Sequence, residues 1–174
     1  MAYEIITIEP SVSDGGHSQG DVMFNLMEVK MPARSCKLIN IFMEVAAGGG
    51  EDNTKIGILF FQKNTQPTLG TLKATANIDA TDFVNNKYIG QAFLMLDADG
   101  SLDLDVIATT ALYYQCAANT GTSNTAEAGA AKNVVLKGEA GSNVIYAAGV
   151  LHASGGSMDL DGTDNVKIHL HVEY

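Results

Sequence analysis

Hydrophobic and polar residues alternate with period two along most of the chain. Nine runs follow this pattern, are rich in Val, Ile, Tyr and Phe, and are separated by clusters of Gly, Asn, Asp and Ser. The runs are Tyr3–Ile8, Val22–Met31, Lys37–Val45, Ile56–Gln62, Tyr88–Leu96, Leu102–Cys116, Val134–Lys137, Val144–His152 and Val166–Tyr174. Alternation of this kind is typical of half-buried strands, and the near absence of helical periodicity disfavours alternating strand and helix units. The sequence therefore predicts an all-β fold over residues 1–174, a jelly-roll-like antiparallel β-sandwich of about nine strands with long loops.

Two segments depart from the strand pattern. In Asp79–Lys87, Asp79 is placed to cap a short helix that turns Phe83 and Val84 towards the core, and a short turn is an equal alternative. Ala117–Asn133 contains only small and polar residues, which predicts a long exposed loop or arm.

Two of the predicted strands are apolar on both faces. In Val22–Met31 and in Ile56–Phe61, apolar side chains fill both sets of alternating positions. A two-layer sandwich covers only one face of each sheet, so the other face needs a loop, a helix or another molecule. We expect another copy or a neighbouring protein to cover it, and hence a homo-oligomer.

Composition and charge narrow the classes of function. Only 17% of the residues are charged, and 20 acidic against 10 basic residues give a net charge of −10, with Arg34 as the sole arginine. Nucleic-acid binding needs clustered cations, so we expect no nucleic-acid partner. The N-terminal stretch lacks the pattern of a secretory leader and no apolar run is long enough to span a membrane, so we expect synthesis in the cytosol without an anchor. Cys36 and Cys116 are expected to be free buried thiols.

A possible nucleophile motif lies near the N-terminus. Gly16-His17-Ser18-Gln19-Gly20 matches the Gly-x-Ser-x-Gly pattern of a hydrolase elbow, which needs a buried parallel strand before the serine and a helix after it. Another alternating run follows Ser18 instead. We therefore predict a flexible loop over Asp14–Gly20 and no catalytic residue.

Two acidic stretches resemble calcium loops. Asp97–Asp105 has its glycine at the fourth position, where an EF-hand needs it at the sixth, and Asp99-Gly100 is a preferred hairpin turn. We therefore expect Gln91–Leu96 to fold back on Leu102–Ile107. Gly155–Asp164 is a single copy of a motif that would need stacked repeats, so we predict a turn. Ion binding is the alternative for both stretches, and no cofactor is assigned.

The C-terminal strand carries the remaining candidate chemistry. His169, His171 and Glu173 project to one face, opposite Val166, Ile168, Leu170, Val172 and Tyr174. Two imidazoles and a carboxylate are zinc or iron ligands, and the His-x-His pair resembles the first half of a cupin metal motif. Glu173 follows too closely for that motif, and the sequence places neither His17 nor His152 nearby. We expect a solvated or interfacial strand face and assign no metal; a metal site is the alternative.

The chain resembles the small structural proteins of tailed bacteriophage virions, especially capsid decoration (cement) proteins. The residues that carry the resemblance are the N-terminal MAYEIITIEPS, the stretch Lys37–Leu72 and the Ala/Gly/Asn/Thr-rich segment Ala117–Asn133. The resemblance implies a non-enzymatic β-rich protein, commonly trimeric, that lies on the capsid surface and strengthens the shell by binding the major capsid protein. The alternative is a receptor- or carbohydrate-binding β-sandwich module of a phage fibre or tail.

Overall fold

β-Strands account for nearly all the regular structure. The computed structural model describes residues 1–46, 55–65, 69–95, 111–117, 134–153, 158–160 and 166–174. The strands in these residues are β1 (Tyr3–Ile8), β2 (Gly15–His17), β3 (Val22–Lys30), β4 (Ser35–Ala46), β5 (Lys55–Phe61), β6 (Tyr88–Met95), β7 (Ala111–Ala117), β8 (Val134–Lys137), β9 (Val144–Ala153), β10 (Met158–Leu160) and β11 (Val166–Glu173). One helix, α1 (Ala80–Asn85), lies between β5 and β6. Each of the nine predicted runs overlaps one of these strands, so the all-β prediction is confirmed.

Nine of the described strands form one antiparallel sheet that folds into two layers. The strand order is β1-β11-β4-β7-β6-β5-β9-β3, and β8 pairs with β4 along the same edge as β7. The first layer contains β1, β11, β4 and β8, and the second contains β6, β5, β9 and β3. β7 joins them because it is hydrogen-bonded to both β4 and β6. The two layers form a sandwich-like antiparallel arrangement, as predicted.

One hydrophobic core fills the space between the layers. Met43 and Leu170 from the first layer and Phe24, Ile58 and Phe60 from the second are all buried in a single cluster. Burying a side chain of this size stabilises the fold by about 1.5–3 kcal/mol relative to leaving it exposed. The inward half of each alternating run therefore holds the two layers together.

The chain itself covers the outer face of the second layer. A second apolar cluster combines Val22, Leu26, Leu59, Phe61, Leu69 and Ala148 with the partly buried Leu72, Ala76, Ile78 and Phe83. Leu69, Ile78 and Phe83 belong to the loop and helix that connect β5 to β6. Our expectation that another copy or a neighbouring protein covers this face of β3 and β5 is therefore wrong, because residues 69–83 supply the cover.

Helix α1 starts with a complete capping box. The Asp79 carboxylate accepts hydrogen bonds from the backbone N–H groups of Thr81 (2.6 Å) and Asp82 (3.0 Å), and the Asp82 carboxylate accepts one from the N–H of Asp79 (3.0 Å). The N–H groups of Asp82 and Thr81 favour the charged form and lower the pKa of Asp79. Asp79 is the cap, as predicted, and Phe83 packs on the second cluster. Val84 is 74% exposed, so its predicted core position is wrong: a helix of six residues buries only one side.

Two short strands lie in segments that we predicted to be a loop and a turn. Gly15–His17 and Met158–Leu160 pair with each other in a small antiparallel sheet. Our predictions for Asp14–Gly20 and Gly155–Asp164 are wrong at these residues. Three-residue strands are too short to show the alternation from which the longer strands were predicted.

The expected hairpin around Asp99-Gly100 does not form at the described residues of β6. Leu94 pairs with Ile56 of β5 on one edge and with Cys116 of β7 on the other, which leaves no edge at Leu94 for Leu102–Ile107. Asp97–Asp105, and the predicted arm beyond Ala117, lie outside the described residues.

We predict that Leu69→Ala lowers the free energy of unfolding by about 2–5 kcal/mol, because it truncates a buried side chain in the cover. The matched control is Val84→Ala, which truncates an exposed side chain of the same connection and is expected to change stability by less than about 0.5 kcal/mol. Chemical denaturation of both variants measures the difference. Equal midpoints would contradict a covering role for residues 69–83.

Candidate interaction surface

The outward side chains of the first layer form a surface that we name the His171 face. Its members are Tyr3, Ile5 and Thr7 of β1; Lys167, His169, His171 and Glu173 of β11; Lys37, Ile39, Asn40, Phe42 and Glu44 of β4; and Val135 of β8. The strand register sets their rows: Ile5 pairs with His171, which pairs with Asn40. Pairing thus brings residues from four distant parts of the sequence together on one face.

The His171 face exposes large apolar side chains. The exposed fractions are 57% for Tyr3, 49% for Ile5, 39% for Ile39 and 53% for Val135. Single exposed apolar residues are ordinary, but a group of them on one sheet face is typical of an interaction site. The two layers therefore differ, because the outer face of the second layer is covered by residues 69–83.

A β-bulge places Ile39 on this face. His171 pairs with Asn40 and the next residue, Val172, pairs with Leu38, so β4 has one extra residue at this point. Leu38 and Ile41 on either side are buried. Without the bulge, strict alternation from Leu38 would turn Asn40 inwards and Ile41 outwards. The bulge therefore keeps a polar amide out of the core and adds an exposed isoleucine to the face.

Aromatic and hydrogen-bonding contacts fix the centre of the face. Nδ1 of His171 is hydrogen-bonded to the hydroxyl of Tyr3. The imidazole ring of His171 lies edge-on to the ring of Phe42, with centroids 4.9 Å apart. Nδ1 of His169 is hydrogen-bonded to Oγ1 of Thr7 at 3.0 Å. These contacts tie the side chains of β1, β11 and β4 to one another and reduce the number of conformations that the face can adopt.

Partial burial and the neighbouring imidazole of His169 both lower the pKa of His171. Partial burial disfavours the charged ring, and the charge of His169 on the same strand adds to this effect, so the pKa of His171 lies below its ordinary value. His169 has an acidic neighbour as well, since its Nε2 lies 3.5 Å from Oε2 of Glu44.

One ion pair lies within this face, between Tyr3 and Val135 in their row of paired residues, and a second lies at Lys167. Lys37 Nζ lies 4.0 Å from Oε2 of Glu173, and Lys167 Nζ lies 3.7 Å from Oε1 of Glu9. Exposed pairs of this kind contribute about 0–1 kcal/mol each to stability. Lys37 and Glu173 thus separate Tyr3 from Val135, so the face is a mixture of apolar, aromatic and charged side chains.

The C-terminal strand has the predicted two-sided character. His169, His171 and Glu173 lie on the outer face, and Ile168, Leu170 and the other predicted inward residues are buried, except Tyr174. Tyr174 is exposed and its hydroxyl donates to Glu4 at 3.4 Å. Tyr3, Ile5 and Ile39 were not predicted to be surface residues. The signal was present in the alternation of Tyr3–Ile8, but strand pairing decides which half of the alternation faces outwards.

The other candidates do not join this face. Ser18 lies in the exposed connection between β2 and β3, with no helix after it, so the geometry of a nucleophile elbow is absent there. His17 is buried in β2 and its Nδ1 is hydrogen-bonded to the carbonyl of Gly15 at 3.0 Å. Cys36 is a free buried thiol, as predicted, and burial raises its pKa. The side chains of His152 and Cys116 lie outside the described part of the chain.

Within the described ranges, no three His, Cys, Asp or Glu side chains are grouped so that they could hold a metal ion. The helix found there is also too short to cross a membrane.

A polar cleft of about 310 Å³ lies at one end of the second layer. It is lined by Gln62, Asn64 and Tyr146 among others, and the Glu139 carboxylate within it is paired with Lys63 (3.3 Å) and Lys87 (2.9 Å). The hydrogen bond from Lys87 and the contact with Lys63 lower the pKa of Glu139. The cleft therefore combines neutral hydrogen-bonding groups, paired charges and one aromatic ring.

Comparison of the chain with family models, with curated proteins and with solved structures finds no match. The interpretation of this surface therefore depends on its own geometry and chemistry.

We predict that acidification destabilises the fold through His171. Its pKa is lowered in the folded chain, so at pH values just below 6.5 the unfolded chain binds more protons than the folded chain. The stabilisation is present above that pH and is lost as the pH falls through the folded-state pKa. Melting temperatures measured from pH 8 to pH 5 are expected to fall more for the wild type than for His171→Gln, whose amide does not titrate. Parallel curves for the two proteins would contradict the assignment.

Proposed function

We propose that this protein is a non-enzymatic structural protein of a tailed-bacteriophage virion, which binds the capsid surface and strengthens the shell as a decoration protein. The observation that carries the proposal is the His171 face, on which Tyr3, Ile5, Ile39 and Val135 are exposed and Tyr3 is hydrogen-bonded to His171. The proposal assigns no catalytic residue, metal or cofactor. The partner is a protein surface, the major capsid protein, together with further copies of the chain.

The exposed apolar residues that support this proposal differ from those that the sequence pattern indicated. Sequence patterning located excess apolar surface on β3 and β5, which residues 69–83 cover. The apolar surface left exposed lies on the other layer, on β1, β4 and β8. Exposed apolar side chains therefore still favour a partner, but this partner would bind the first layer and not the second.

The size of the face favours repeated, individually weak contacts. Four strands about 4.8 Å apart and about six residues long cover on the order of 400 Å². A stable interface of ordinary size buries about 800 Å² from each partner. A single copy is therefore expected to bind weakly, and copies that associate before binding gain affinity through multivalency on a repetitive surface.

The charge of the chain suits such a surface. A net charge of −10 keeps copies dispersed and disfavours adhesion to nucleic acid. Lys37 and Glu173 lie between Tyr3 and Val135 in one row of the His171 face, so a partner that covers this row is expected to contact charged as well as apolar side chains.

Carbohydrate binding is the second candidate function, and the polar cleft is the observation that favours it. Amide groups of Gln62 and Asn64 provide hydrogen bonds for sugar hydroxyls, and Tyr146 provides one ring for a sugar face. Binding of neutral or acidic oligosaccharides that is lost in Tyr146→Ala would favour this function over decoration.

We predict that Ile39→Asp and Val135→Asp abolish binding to undecorated capsid shells without unfolding the chain, because both residues are exposed at the proposed contact. Val84→Asp is the matched control, since Val84 is an exposed valine on helix α1, outside the His171 face. Co-sedimentation with shells measures binding, and circular dichroism checks the fold. If the wild type does not sediment with shells, or if all three variants bind as it does, the proposal is wrong.

A further inference from the structure

Strand β1 forms one end of the sheet. It pairs with β11 along one edge, and none of the other described strands pairs with its second edge. The opposite end of the sheet, β3, is partly closed by the chain itself: Val22 N donates to Ala74 O, Lys73 N donates to Val22 O, and the Asn25 side chain bonds to the backbone of residues 69 and 70. The two ends of the sheet therefore differ.

The hydrogen-bond pattern shows which backbone groups of β1 point away from β11. Ala2 and Tyr174 exchange both of their hydrogen bonds, at 2.9 and 3.0 Å. Antiparallel pairs alternate between bonded and non-bonded, so Glu4, Ile6 and Ile8 also direct their backbone groups to β11. The N–H and C=O groups of Tyr3, Ile5 and Thr7 therefore point to the second edge.

Of the usual features that prevent pairing, this edge carries one, the charged side chain of Glu4. It lacks the others, which are lysine or proline within the strand, a bulge, and a very short strand. Tyr3–Ile8 contains three isoleucines, one tyrosine and one threonine, has no lysine or proline, and pairs with β11 without a register shift. Residues of these types favour extended structure. The edge is thus suited to accept another strand.

We propose that a second copy of this chain pairs with β1 through its own β1, antiparallel, around a two-fold axis at Ile5. In this register Ile5 faces Ile5 of the second copy, and Tyr3 faces Thr7 of the second copy. Each of these residue pairs exchanges two backbone hydrogen bonds. The result is one sheet that runs continuously through both copies.

Self-complementarity makes a second copy the occupant. The paired stretch from Ala2 to Ile8 is centred on Ile5, so the two-fold overlaps it completely. Glu4, the one carboxylate of β1, then faces Ile6 of the second copy. Of the two neighbouring two-fold registers, the one centred on Glu4 would put two carboxylates directly opposite each other, which is unfavourable. The one centred on Ile6 would pair only residues 4–8 of the stretch from Ala2 to Ile8. Tyr3 and Ile5 would also join the two His171 faces into one apolar surface.

Pairing through β1 is independent of the proposed function, and it predicts the number of copies in the assembly. A two-fold contact gives an even number of copies, whereas the resemblance to decoration proteins implies a trimer. Native mass measurement over a range of concentrations is expected to show dimers or multiples of dimers. A trimer, or a monomer at all concentrations into the millimolar range, would overturn the inference, and a monomer that still binds shells would leave the proposed function intact.

Proline substitutions test the edge directly. Ile5→Pro removes an N–H that points to the second edge, so the chain is expected to fold and to run as a monomer. Ile6→Pro removes an N–H that bonds to β11, and its unfolding midpoint is expected to be clearly lower. An Ile5→Pro variant that remains dimeric would refute the pairing.

A disulfide test fixes the register even if the proline variants do not fold. Directly opposed bonded pairs have Cα atoms about 5.5 Å apart, within the range that a disulfide spans. Ile5→Cys is therefore expected to form a covalent dimer on mild oxidation, and wild type treated in the same way measures any background from the native cysteines. Tyr3→Cys alone is expected not to cross-link, whereas a mixture of Tyr3→Cys and Thr7→Cys is. Absence of the Ile5→Cys dimer, or equal cross-linking of Tyr3→Cys alone, would contradict the register.

Discussion

The antiparallel pairing of β11 with β4 is the constraint on which the rest of the structure depends. In its register Ile168 and Leu170 enter the core beside Met43 and Ile41, and the same register turns His169 and His171 outwards beside Phe42. A slip of one residue would exchange the two sets, burying imidazoles and exposing isoleucine and leucine. Because the inward side chains are fully buried, such a slip would cost many kcal/mol, so the core holds the outer surface in place.

The outer faces of the two layers differ in how they are covered. Residues 69–83 close the second layer with Leu69, Ile78 and Phe83, whose burial compensates for the cost of ordering a long connection. The first layer keeps Tyr3, Ile5, Ile39 and Val135 exposed within the described residues. The proposed structural role requires one face that is stable by itself and another that binds a neighbour, and this asymmetry is consistent with the proposal.

The edge of β1 and the His171 face are adjacent but act through different forces. Pairing at the edge uses directional backbone hydrogen bonds, which specify one register and one partner strand. Contact through the face uses apolar burial, which is stronger per area and less specific. The net charge of −10 opposes indiscriminate association, so the proposed contacts must satisfy both geometry and charge.

The sequence by itself determined the strands and their class of fold. Alternation identified the nine described strands of the large sheet and the division of Val166–Glu173 into buried aliphatic and outward polar residues. The residue type of Asp79 indicated the cap. Each of these features depends on neighbours within a few positions. The chain alone did not show that Leu69 and Phe83 cover β3 and β5, since cover residues follow no period.

Nor did the sequence show that Ile39 sits on a bulge or that Tyr3 meets His171. The pairing of Gly15–His17 with Met158–Leu160 was not predicted either. Only the tertiary structure decided these features, because they depend on which distant segments become neighbours, and strand pairing across more than a hundred residues leaves no local pattern.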